Sequence, residues 1–145
     1  MGILKNAGFD SYAYQVGTFP IATECQGRVK EGMFCKLNNK KEICLAEAGD
    51  KGFMVLAPKT PGLTGFAITN GAFYVGPFVL NIDEDCFDAG KTYNAQEVLY
   101  IGADGKLTND SSVTSNPIPV AQVLRPIRTI GEKKVLTVAS YNGLI

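Results

Sequence analysis

Short apolar runs separated by turn-forming residues set the pattern of this chain. Residues 96–102 hold the strand formers Val98, Leu99, Tyr100 and Ile101, and Asp104-Gly105 follows, a pair suited to the positive φ angles of a tight hairpin turn. Residues 106–108 return from that turn, and 111–119 (SSVTSNPIP) read as a polar, Pro-bounded loop. Two further apolar runs, 120–124 and 134–139, are joined by 125–133, where Pro126 and Gly131 read as breakers. The stretch 91–141 is therefore predicted to be a β-meander that closes a small all-β domain.

The upstream chain has the same texture. Residues 1–20 lack helical periodicity and are expected to form an extended N-terminal arm, with 21–145 as a single β-domain. Tyr12, Tyr14 and Val16 alternate, which allows a short strand within that arm. Residues 21–37 offer two short strand candidates around Gly27 and Gly32, and 36–41 (KLNNKK) a polar turn. A strand is predicted at 42–46, a turn at 48–52, and a strand buried on both faces at 52–57 (GFMVLA). Asn70-Gly71 is read as a second hairpin turn between strands at 63–69 and 72–80, with Gly76-Pro77 marking a bulge or an edge in the latter. An acidic loop, 81–90, leads into the meander. Nine or ten short strands with turns every 8–12 residues predict an all-β fold, either a compact small β-barrel or a β-sandwich.

Composition narrows the function classes. A chain of 145 residues suits one domain, and folding one of that size buries roughly 70% of the unfolded surface. Fourteen basic residues balance fourteen acidic ones, so no bulk electrostatic attraction to nucleic acid or an anionic membrane is expected. No apolar run approaches the roughly 20 residues needed to span a bilayer. Histidine is absent, which removes the commonest general base and the ordinary Ser-His and Cys-His arrangements. Cys25, Cys35, Cys44 and Cys86 contain no CxxC spacing, and 1–6 (MGILKN) lacks a secretory h-region. Reduced thiols in a protein made in the cytoplasm are favoured over two disulfides.

The candidate chemistry is thin. Asn81, Asp83 and Asp85 alternate like the opening of a calcium loop, but Cys86 stands where the sharp-turn Gly belongs and Thr92 where the bidentate Glu belongs. Glu84 and Asp85 lack a neighbouring base or oxyanion donor, and no phosphate-cradling glycine motif occurs. The length would also suit a dUTPase-like hydrolase, yet neither its Gly-flanked Asp signature nor a Tyr-Arg-Gly run is present. No enzyme activity, cofactor or metal is expected. Lys36, Lys40 and Lys41 read as a solvated turn. Two groups remain as candidates for a subunit or partner interface. The aromatics Phe9, Tyr12, Tyr14 and Phe19 either pack on their own core or lay large rigid rings on a neighbour. Arg125 and Arg128, flanking Pro126-Ile127, belong either to a salt-bridged loop or to a partner contact.

The order of features in the meander carries a resemblance. A strand ending in Tyr100, the turn Ala103-Asp104-Gly105-Lys106-Leu107-Thr108, a Ser/Thr-rich loop, a strand at 119–124, a charged turn and a terminal strand at 135–139 follow one another. This order resembles the small capsid decoration (cement) proteins of tailed bacteriophages, and the upstream turn and strand at 48–57 (AGDKGFMVLA) fits their pattern as well. The resemblance implies a non-enzymatic protein of the virion exterior, bound as a trimer over neighbouring major capsid subunits, with no nucleic-acid or membrane partner. Another virion module, such as a head fibre base or tail component, and a small β-barrel binding a ligand or carbohydrate are the alternatives.

Overall fold

A computed structural model of the chain describes residues 14–29, 32–50, 53–56, 70–75 and 79–141. Ten strands follow in order: β1 (Tyr14–Pro20), β2 (Phe34–Leu37), β3 (Ile43–Leu45), β4 (Phe53–Leu56), β5 (Asn70–Val75), β6 (Val79–Asp83), β7 (Val98–Ile101), β8 (Leu107–Thr108), β9 (Pro119–Ile130) and β10 (Lys133–Ser140). They form two antiparallel five-stranded sheets, ordered β1-β5-β4-β2-β3 and β6-β10-β9-β7-β8. The fold is all-β. Each sheet ends in two edge strands, so of the two predicted architectures the closed barrel is ruled out.

Period-2 alternation places the core. In β7, Leu99 and Ile101 are buried while Val98 and Tyr100 are half-buried. Leu80 and Ile82 of β6 lie opposite Val138 and Leu136 of β10, and Val123 of β9 lies opposite Val138. These side chains join Phe34, Cys35, Ile43 and Leu45 of the first sheet in one hydrophobic cluster. The two sheets therefore share a core.

The turn at Asp104-Gly105 forms as predicted. Asp104 (φ 56) and Gly105 (φ 71) both take positive φ, and β7 pairs with β8 across them. A Cβ on Gly105 would run into the carbonyl oxygen of Phe34, which accepts the Ala46 N–H at 3.1 Å. This turn of the second sheet thus presses on backbone of the first, and Arg28 Nη2 reaches Asp104 Oδ1 at 3.1 Å beside it. Only glycine fits there.

Several expectations are corrected. Asn70 and Gly71 are not a turn: they open β5 and pair with Pro20 and Phe19 of β1. The predicted strand at 72–80 is two strands, β5 and β6, in different sheets. A change of sheet stands where a bulge or an edge within one strand was expected. Among the described residues of 21–37 there is one strand, β2. Ile21 makes only an isolated bridge to Ile43, and Thr23–Cys25 is a 3-10 turn. Pro126 does not end β9, which runs twelve residues through it. The register against β10 shifts on both sides of Thr137, and these bulges give extra residues on β9 a place outside the ladder. The connection to β10 is therefore the two-residue turn Gly131-Glu132 rather than a nine-residue loop. The short strand allowed within the arm is present, in part, as the edge strand β1 at Tyr14–Pro20. The strand expected at 63–69 lies outside the described residues.

Candidate functional site

The face of the second sheet opposite the shared core is built from the alternate residues of the same strands. Asn81 and Asp83 of β6 stand opposite Thr137 and Val135 of β10, and Val135 stands opposite Arg128 of β9. All four β6 and β10 residues are buried, yet none belongs to the hydrophobic cluster. Polar groups out of water need partners. Asn81 Oδ1 accepts from the Thr137 hydroxyl and from Arg128 Nη2 at 3.0 Å, and Arg128 Nη1 donates to Thr137 Oγ1 at 2.8 Å. A polar seam thus crosses three strands.

A second tie lies one step along. Asp83 is fully buried; its carboxylate accepts the Asp85 N–H at 3.0 Å and Lys133 Nζ at 3.2 Å, while the Lys133 side chain is 45% exposed. The bond to Asp83 holds the Lys133 ammonium above its ordinary pKa. Asn81 and Asp83 therefore end a strand instead of opening the predicted acidic loop, and they lock β6 to β10 and β9.

Along the outer half of β9 several side chains face solvent. β7 flanks β9 only as far as Val123, whose N–H donates to the Glu97 carbonyl and whose carbonyl accepts the Gln96 N–H, both at 2.8 Å. Past that point no described strand lies beside β9 on the side away from β10. Leu124 (43%) and Ile130 (42%) are exposed there, together with Arg125, Pro126 and Thr129, whereas Ile127 packs against the core. These side chains are free to meet a partner.

The residues singled out in the sequence fall apart accordingly. Arg125 is exposed on the open part of β9, and Arg128 stands on that strand, in the polar seam, rather than in a loop. Phe19 is partly buried against the protein's own core. Tyr14 begins β1 opposite Val75. Phe9 and Tyr12 lie outside the described residues. Leu124, Ile130, Thr137 and Lys133 were not picked out from sequence, and Asn81 and Asp83 stood out only as the opening of a calcium-like loop that the residues after them do not complete. A twelve-residue β9 was the signal needed, and the assumed break at Pro126 hid it.

Other polar groups are structural. Lys36 Nζ bonds Asp50 Oδ2 at 2.6 Å, which raises the Lys36 pKa. Burial pushes the Asp50 carboxyl up, but this bond and the Glu47 N–H together bring it below its ordinary value. Each of the four cysteines is a free thiol; burial raises the Cys35 and Cys44 pKa values, so neither is an activated nucleophile. Among the described residues no group of His, Cys, Asp or Glu is arranged to hold a metal, and no helix is long and apolar enough to cross a membrane. Compared with known proteins, the chain matches no family model and no curated protein.

Proposed function

We propose that the protein is a non-enzymatic capsid decoration protein, which binds the outer surface of an assembled phage head and braces neighbouring major capsid subunits as a homotrimer. The observation that carries this reading is the meander itself. The features that resemble cement proteins, from Tyr100 through the Asp104-Gly105 turn to the last strand, fall on β7 to β10, four adjacent strands of one sheet. The exposed part of that sheet, the outer hairpin with Leu124, Arg125 and Ile130, would supply the contact surface, anchored by the seam through Arg128. A near-neutral domain suits close packing against copies of itself and a lattice, where multivalent attachment turns modest contacts into high avidity.

The test is co-sedimentation of the purified protein with expanded and unexpanded shells of its source virus. Saturable binding to expanded shells, at hundreds of copies per particle, is the expected result. Binding to neither form rejects the proposal.

A further inference from the structure

The outer hairpin combines two features that point to one kind of partner. Among the described residues its backbone edge is open. In β10, Lys133 and Val135 pair with Ile130 and Arg128, so across a two-residue turn these pairs are the bonded ones, and Thr129 between them turns its N–H and C=O away from β10. Among the described residues no strand meets that edge, and the exposure of Leu124, Arg125, Pro126, Thr129 and Ile130 shows that their side chains stand clear. The hairpin is also basic within a neutral chain: residues 124–134 hold Arg125, Arg128, Lys133 and Lys134 against Glu132 alone. The seam occupies Arg128 and Asp83 occupies Lys133. Arg125 and Lys134 are exposed and form no ion pair among the described residues.

We propose that the open edge of β9 takes up an extended, acidic segment of a partner protein as an added strand. Backbone hydrogen bonds would anchor the segment, Leu124 and Ile130 would cover its apolar side chains, and Arg125 and Lys134 would pair with its carboxylates. A second copy of this chain fits less well. Two-fold pairing of this edge sets the same cations against each other. Nucleic acid fits less well too, because it has no strand backbone with which to complete the ladder at this edge. The inference holds whether or not the partner is a shell protein.

The experiment uses the full chain and a fluorescein-labelled octapeptide of alternating Glu and Val, followed by fluorescence anisotropy at low salt. Its controls are the same peptide with Lys for Glu, an N-methylated version, and a single-stranded oligonucleotide. Saturable binding of the Glu peptide, loss of that binding on N-methylation, and amide shifts confined to the outer half of β9 are expected. The double variant Arg125→Glu/Lys134→Glu should keep its circular dichroism spectrum, bind the Glu peptide about tenfold more weakly, and gain affinity for the Lys peptide. No binding, equal binding of both peptides, indifference to N-methylation, or tighter binding of the oligonucleotide would each overturn the proposal.

Discussion

The two halves of β9 share one backbone and differ in almost everything else. From Pro119 to Val123 the strand runs between β10 and β7, and Val120, Ala121 and Val123 are buried. From Leu124 to Ile130 only β10 flanks it among the described strands, and Leu124 and Ile130, as apolar as anything in the inner half, are over 40% exposed. Hydrophobicity along a strand does not decide burial; the presence of a neighbour does. The inner half is buried in the domain, and the outer half is tied to it through Ile127 and the seam's Arg128.

Paired substitutions sharpen this contrast. The largest effect is expected from Leu136→Ala, which empties a fully buried site in the shared core: about 2–5 kcal/mol of stability by urea unfolding. Leu124→Ala on the outer half should stay within about 0.5 kcal/mol. Equal costs for the two would mean that the outer half is covered.

The two glycine turns make the next comparison. Gly105 (φ 71) and Gly131 (φ 63) both have positive φ, but a Cβ on Gly105 meets the Phe34 carbonyl while one on Gly131 meets open space. Gly131→Ala should cost only the strain of a left-handed alanine, about 1–2 kcal/mol. Gly105→Ala adds displacement of backbone in the other sheet, so its melting temperature should fall well below that of the Gly131 variant. The reverse order would show that the sheets do not meet at that turn.

The smallest contrast separates the two arginines. Arg128→Met leaves Asn81 and Thr137 without their charged donor and should cost about 1–3 kcal/mol in thermal unfolding. Arg125→Met should leave the melting temperature unchanged. Stability that ignores both substitutions would reject the seam as the support of the hairpin.

Particular residues show how far the sequence could be read. The β7–β8 hairpin was legible because Asp104-Gly105 specifies its own backbone locally, and the alternation around Leu99 and Ile101 marks which face is inward. Asn70-Gly71 carries the same kind of signal and misled, because pairing with β1 drew both residues into a strand. Pro126 misled in the opposite direction. Proline breaks a ladder when its missing N–H is needed, and register shifts on the β10 side left room for extra residues of β9. Asp83 looked like part of a solvated acidic loop; only its alignment with Val135, and the reach of Lys133, made it the buried end of a strand.

The sequence by itself determined the all-β class, the turn at Asp104-Gly105 and the lack of histidine chemistry, since these depend on side-chain period, local φ preference and composition. Tertiary structure decided the division into two sheets, the seam through Asn81, Thr137 and Arg128, and the exposure of the outer half of β9. Those features depend on which strands become neighbours, and strand pairing joins residues as far apart as Asn81 and Thr137, a relation that no local pattern encodes.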